Sequence, residues 1–413
     1  VIGPAAWKFN WNRNNYDALA GALAAGHIIE CGCQATGGNY AFFKEVPSFN
    51  NVGYPIAEIE ENGNFTITKH PNTGGLVSVG TVTAQLLYEI SSPSYINPDV
   101  IAHFDTLKIE EIANDRVYVS GCRGSSPPPS HKVCINLAGG YRNGMEIILT
   151  GLDIEEKAKV FTDTLFNSIG GKDQFDEVSI DLHQTQKNNP KTNEEAMASL
   201  NISVKSMNPE LVGRLFTAKI VELSLSNFPG FFARGAAKPN GPVIVYWPAL
   251  VDSKYIKETV NINGKKIEIL PTSQLDFEEI YYQKKPIKIP EIKEKEEVSK
   301  VYFGEIYGTR SGDKGGCANL GVWAKDLSSY AFLYKFLTVK KLKELLPDLK
   351  NYKIDRYELA NIHSLNFYVH DILQDGVSSN NKLDSQAKSL GEYLRAKMIE
   401  VPSSILKGKN YEQ

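Results

Sequence analysis

The sequence predicts an α/β (α+β) protein, a large mixed domain followed by a smaller α+β sandwich. Three observations carry this reading. Helical and strand-like segments alternate along the first two-thirds of the chain. A stretch rich in proline and mixed charge, YYQKKPIKIPEIKEKEEVSK (281–300), then breaks the pattern. Beyond it, four strand-like and two helical segments in the order ββαββα fill the size of a small domain. The division read from this is a large domain over 1–280, a linker over 281–298, the sandwich over 299–402 and a tail over 403–413.

The elements follow in chain order. YDALAGALAAGHIIE (16–30) has helical composition and spacing, and CGCQATGGN is its glycine-rich exit. PIAEIEENGNFTITKH (55–70) alternates and turns at Asn62-Gly63, a hairpin signal. HPNTGG leads into a helix over 76–90. Residues 104–121 and 131–151 each read as a β pair, separated by CRGSSPPPS. From Gly151 an amphipathic helix, a strand over 175–182, a helix over 208–227 started by Asn208 and Pro209, a strand over 241–251 and a hairpin over 260–270 succeed one another. In the last domain YFGEIYG, ANLGVWA, KIDRYELA and SLNFYVHDIL read as strands, and 326–346 and 385–399 as helices.

Composition excludes several classes of function. The 413 residues are 42% hydrophobic and 23% charged, with a formal charge of −3, so no basic field for nucleic acid exists. No run of 18 or more apolar residues marks a membrane span. Five cysteines (Cys31, Cys33, Cys122, Cys134, Cys317) are few and odd in number, which fits a reducing compartment. The expected location is the cytoplasm, or the mitochondrial matrix of a eukaryote. The chain opens on Val1, and VIGPAAWKFNW reads as the middle of a domain, so a natural N-terminal portion is expected to precede it.

GTRSGDKGGCANLGV (308–322) gathers Arg310, Ser311, Asp313 and Lys314 among glycines. It is neither a P-loop, because Asp313 intervenes before Lys314, nor a G-x-S-x-G elbow. Gly312, Gly315 and Gly316 permit positive φ and let backbone N–H groups converge on an anion. Arg310 can grip a carboxylate or phosphate through two parallel bonds, and Lys314 adds a compact charge. The preferred reading is an anion-binding loop; the plain alternative is a tight strand-to-strand turn with solvated charges.

QATGGN, with Thr36, Gly37, Gly38 and Asn39, and HPNTGG, with Thr73, Gly74 and Gly75, share the style. The second is expected at a helix N-terminus, where free N–H groups favour an anion, with His70 beside it as an acid/base candidate. His27, Cys31 and Cys33 invite a zinc reading, but a Cys-x-Cys spacing without a second pair favours packed thiols, and no metal is assigned. Cys317 lacks a nearby histidine in sequence and ranks low as a nucleophile.

Long motifs then resemble one family. ECGCQATGGN, GYPIAEI, TKHPNTGGLVSVGTVTAQLLYEI, NPELVGRLFTAKIVELSLSNFPGFF and VYWPALV look like the large domain of the acyclic terpene utilization protein AtuA family. RSGDKGGCANLGVWA, YELANIHSLNF and LDSQAKSLGE resemble its C-terminal, ferredoxin-like domain. The resemblance implies a protein of acyclic terpene and branched-chain acid catabolism, beside acyl-CoA carboxylases and dehydrogenases; a homo-oligomer is expected. Family members carry an N-terminal α/β segment before the point that aligns with Val1.

The expectation is an enzyme of lyase or hydratase type acting on an acyl-CoA thioester or carboxylate. It needs no cofactor of its own, coenzyme A entering as part of the substrate. Asp313, His70 and Ser311 are the catalytic candidates. Arg310, Lys314, Gly312 and Gly315 are the anion-binding ones, and the two TGG loops would supply an oxyanion pocket. The alternative is a non-catalytic subunit or scaffold of an acyl-CoA carboxylase-like assembly.

Overall fold

The computed structural model describes residues 1–269 and 297–406, so nearly all of the expected linker and most of the tail lie outside the described residues. Packing forms two compact units. One draws on Val1–Cys134, Pro248–Val377 and Asp384–Gln413, the other on Ile135–Trp247 and Ser378–Leu383. The N-terminal third and the C-terminal sandwich thus fall in one compact unit, each with a hydrophobic cluster of its own.

The first unit begins with α1 (Ile2–Phe9) and α2 (Tyr16–Ile29). Alanine, glycine and leucine make α2 apolar all round, and it is buried along nearly its whole length. Small residues let its neighbours come close: a Cβ on Gly21 would lie 2.0 Å from the Gly63 carbonyl oxygen. Gly63, with φ +84°, turns the predicted hairpin of β1 (Pro55–Ile59) and β2 (Phe65–Lys69), in which Ile59 faces Phe65. β3 (Lys108–Ala113) and β4 (Arg116–Ser120) complete a sheet ordered β1-β2-β4-β3. α3 (Val79–Leu86) starts later than predicted, because a capping box of Ser78 and Thr81 fixes its first turn there. The HPNTGG loop therefore precedes the helix instead of forming its N-terminus.

The second unit is built on β5, a single strand from Ser130 to Thr150 that enters it at Ile135. A β pair is expected there, but Gly139-Gly140 does not reverse the chain. Gly139 makes room for Val243 and Val245, and Gly140, at φ +86°, lies against Ser206. α4 (Ile154–Ser168), β6 (Glu177–His183), β7 (Met197–Ser206), α5 (Arg214–Leu223), β8 (Phe231–Ala233) and β9 (Gly241–Asp252) follow. The sheet runs β8-β5-β7-β6, with β9 also on β5. Its buried face carries Ile147, Leu149, Leu200 and Ile202 against Phe161, Leu165 and Phe216 of the helices. α5 is shorter than predicted: Asn208 accepts the Glu210 N–H at 3.0 Å within a turn, and the helix begins only at Arg214.

The C-terminal part returns to the first unit. β10 (Tyr307–Lys314), β11 (Cys317–Ala324), β12 (Ile354–Leu359) and β13 (Ser364–Val369) form an antiparallel sheet ordered β10-β11-β13-β12. α6 (Leu327–Phe336), α7 (Val339–Leu345) and α8 (Leu390–Arg395) complete it. The predicted helix over 385–399 shortens to α8, and Met398–Pro402 forms a strand instead, paired with Val298–Tyr302. The core of the N-terminal part takes in Trp323, Leu359 and Ile362 from this sandwich, whose own core gathers Phe303, Tyr307, Leu320, Leu365 and Phe367.

Candidate functional site

GTRSGDKGGCANLGV is a two-residue β-hairpin. Lys314 pairs with Cys317, and Gly315, at φ +65°, takes the first turn position. The strand-to-strand alternative holds for the backbone, yet its charges are not solvated. Glycine at three strand positions has a packing cause. A Cβ on Gly312 would lie 2.5 Å from the Tyr88 ring, one on Gly321 2.6 Å from Leu87 Cβ, and one on Gly308 2.2 Å from Trp323. The end of α3 thus rests directly on the hairpin backbone. Two asparagines fasten it there: Asn319 accepts the Glu89 N–H at 2.8 Å and donates to the Leu87 carbonyl at 2.6 Å, while Asn366 donates to that of Ile90 at 3.2 Å. These bonds hold Glu89 at φ +56°, a left-handed conformation that costs a side-chain-bearing residue about 1–2 kcal/mol. Strain of this kind gathers where a side chain must be aimed.

The four polar residues of the hairpin meet different surroundings. Arg310 is 9% exposed, donates to Gln34 Oε1 and lies 4.1 Å over the Tyr88 ring. Burial lowers its pKa, opposed by Tyr88, Glu89 and Cys31. Ser311, 1% exposed, accepts the Gly391 N–H at 3.0 Å. Asp313 stands 3.6 Å from Lys388 Nζ, which also pairs with Glu89 at 3.1 Å and donates to the Tyr88 hydroxyl. Burial alone would lower Lys388, but its bonds to Tyr88 and Glu89 outweigh that and raise it, while burial pushes Tyr88 up to about 12. Lys388 is therefore a charged clamp on a neutral phenol.

Lys314 differs from the others. It reaches a cleft of about 540 Å³ whose other polar lining includes His27, Glu30, Glu89, Tyr95 and Asp99. No ion pair to it occurs among the described residues, and its ammonium lies 5.6 Å from the Tyr95 ring. Burial first, then repulsion from Lys132, lowers its pKa, against the pull of Glu89, Asp313 and Glu30. His27 is buried, donates through Nε2 to the Leu86 carbonyl at 3.2 Å and packs against the rings of Tyr95 and Phe104. Burial lowers it to about 4, so it is neutral at pH 7.

The glycine N–H groups of the TGG loops, expected to face an oxyanion, are bonded within the protein. Gly37 donates to Gln34 O, Gly38 to Cys33 O, Gly74 to Asn51 O and Gly75 to Ser48 O, at 2.8–3.0 Å. Thr36 is buried and bonds the Cys33 and Gly53 carbonyls; Thr73 bonds that of His70. Asn39 is a turn residue at φ +55°. The two loops brace one another, Leu76 N–H donating to Thr36 O at 2.9 Å. His70 is exposed beyond β2 and lines neither the Lys314 cleft nor the Arg310 cluster.

Among the described residues no group of three or more His, Cys, Asp or Glu is arranged for a metal. His27 is enclosed, Cys31 is exposed, and Cys33 donates to the Val52 carbonyl at 3.3 Å. No described helix is long and apolar enough to cross a membrane.

Residues 1–262 match the acyclic terpene utilisation family protein AtuA, and residues 301–400 the AtuA ferredoxin-like domain. The chain belongs to the AtuA family. No curated protein and no solved structure matches it. In this AtuA-family chain, sequence reasoning missed Gln34, Tyr88, Glu89 and Lys388. Lys388 stands in LDSQAKSLGE and Glu89 in the TAQLLYEI run, both quoted for the resemblance, but their meeting across about 300 residues left no local pattern.

Proposed function

We propose that this AtuA-family protein acts on an acyl-CoA thioester of acyclic terpene or branched-chain acid breakdown, by lyase- or hydratase-type acid–base chemistry, in the Lys314 cleft. The observation that carries the reading is Lys314 itself, a partly buried ammonium without an ion pair among the described residues, lining with Glu30 and Glu89 a cleft large enough for a small acyl group. A cation so placed stabilises negative charge developing on a thioester carbonyl oxygen, and costs no reorganisation when the charge appears. A carboxylate at Glu89 or Glu30 takes a proton from the carbon next to that carbonyl or from an attacking water, and returns it elsewhere on the substrate. Glu89 is favoured as the base, because its strained backbone and its Lys388 partner fix its direction. His27, neutral and bonded to the main chain, shapes the wall and moves no proton.

This reading shifts chemistry from the sequence candidates. Asp313 serves Lys388, Ser311 secures α8, and Arg310 braces the QATGGN loop. The test is turnover of acyclic terpenoid and branched acyl-CoA thioesters, followed by mass spectrometry, for wild type, Lys314→Gln and Glu89→Gln. The expected result is conversion by wild type and a loss of 10²-fold or more in both variants, the usual size of an acid–base contribution. Absence of binding and turnover across the panel would overturn the reading; stoichiometric co-purification with an acyl-CoA carboxylase would then favour a scaffold role.

A further inference from the structure

The Lys314 cleft holds three carboxylates, Glu30, Glu89 and Asp99, against one lysine, so a nucleotide carrying several phosphates finds no home in it. A second cleft of about 830 Å³ lies in the same unit, at the other end of the α1/α2 pair. Its lining is of another kind. Phe9 and Trp11 stack at 5.5 Å and 24°, and Trp11 is fixed by its indole N–H donating to the Glu61 carbonyl at 2.8 Å. Asn12, Asn14 and Asn15 spend their side-chain oxygens within the turn, on Asn14 N–H, the Tyr16 hydroxyl and Asn12 N–H. Their NH₂ donors have no partner among the described residues. Arg123, 63% exposed and bonded to Asp17, is the lining cation.

We infer that this second cleft binds an adenine nucleotide: the base lies against the Phe9/Trp11 pair, the asparagine amides read its ring nitrogens, and Arg123 meets a phosphate. A rigid aromatic face gives sequence-blind affinity for a base, and amide donors suit the acceptors along a purine edge. A carboxylate such as Asp17 is the group that recognises ribose hydroxyls in other nucleotide sites.

The identification of this nucleotide with the coenzyme A end of a thioester rests on the proposed function. Spacing supports it. From Asp17 in the second cleft to His27 in the first is ten residues of α2, about 15 Å at the helical rise. The pantetheine arm has about twelve bonds between phosphate and sulphur, the contour of four extended residues, or roughly 14 Å. An anchored nucleotide can therefore deliver its sulphur to the neighbourhood of Lys314.

Calorimetry with adenosine 3′,5′-bisphosphate, which lacks the arm and the acyl group, tests the site directly. Binding is expected to wild type and to Lys314→Ala, and to weaken about tenfold or more in Trp11→Ala. Arg123→Ala, an exposed change that spares the core, should weaken it too and keeps the test open if Trp11→Ala fails to fold. No binding to wild type, unchanged binding in both variants, or displacement by glucose oligomers and not by AMP would overturn the assignment. An acyl-pantetheine separates this from the functional reading. If it binds wild type and is lost in Lys314→Ala while the bisphosphate does not bind, the reaction site stands and the nucleotide site falls. If the bisphosphate alone binds, the reverse holds.

Discussion

Replacing Arg310 by alanine should destabilise the protein more than it impairs substrate binding. The guanidinium is almost enclosed, donates to Gln34 Oε1 and stacks 4.1 Å above Tyr88. Its loss removes a charge-assisted bond, about 1.5–3 kcal/mol, and a desolvated cation–π contact, about 1–2 kcal/mol. It also leaves Gln34, itself 9% exposed, with a buried acceptor to satisfy. The cost should total roughly 2.5–5 kcal/mol, and Arg310→Lys should recover little of it, because an ammonium can neither lie flat on the ring nor keep the same reach to Gln34. Lys314→Ala, which removes a partly buried ammonium without an ion pair among the described residues, should cost under about 0.5 kcal/mol. Urea unfolding of the three variants, with acyl-CoA affinity measured beside it, separates brace from ligand. Stability of Arg310→Ala within 0.5 kcal/mol of wild type, with thioester binding lost, would refute the reasoning and return Arg310 to the role its sequence suggests.

Gly312→Ala should cost about 1–3 kcal/mol in the same urea assay, since its methyl would lie 2.5 Å from the enclosed Tyr88 ring and force α3 off the hairpin. Asn319→Ala should cost about 2–4 kcal/mol, removing its buried bonds to the Leu87 carbonyl and Asn366 Oδ1 and its partly buried one from the Glu89 N–H; circular-dichroism melts would register it as a lowered Tm. His27 gives the stability a pH dependence of definite sign. Its folded pKa of about 4 lies below the unfolded 6.5, so the unfolded chain binds the proton first. Its contribution is complete above pH 6.5, falls as pH drops toward 4 and amounts to roughly 3 kcal/mol at most; His27→Gln should flatten that part of a urea-midpoint profile against pH.

Local signals served the fold well. The Asn62-Gly63 hairpin, α2 and three of the four expected sandwich strands rest on periodicity and turn chemistry that neighbouring residues decide; YFGEIYG, expected as the fourth, holds a helical turn at Phe303–Ile306, and the strand is Tyr307–Lys314 instead. What misled was glycine. In QATGGN, HPNTGG and GTRSGDKGG the residue was read as freedom for N–H groups to face a ligand. In the folded chain the glycines of the first loop turn their donors onto its own start, at Cys33 and Gln34, those of the second turn theirs onto Ser48 and Asn51, and the hairpin glycines are floor space for Tyr88 and Leu87. Composition cannot tell these uses apart, because both need a missing Cβ. The site proper was hidden for a second reason. Lys314 is visible in the sequence, but the groups that give it meaning come from elsewhere: Glu30 at the end of α2, Tyr88 and Glu89 just past α3, and Lys388 before α8. The 21-residue strand β5 was mistaken for a pair because Gly139-Gly140 carries a turn signature that strand pairing overrides.

The bond between Arg310 and Gln34 has a consequence in time. Its partners are separated by 276 residues, which a ribosome adding about 5–20 residues per second needs roughly 14–55 s to make. Through that interval the QATGGN loop, the last turn of α3 and the apolar wall that will receive Trp323 stand without their counterpart. The early part of the chain must survive half-built, shielded or loosely collapsed, until the hairpin emerges. Two stretches of sequence that look like separable modules are, for the nascent protein, a single appointment kept late.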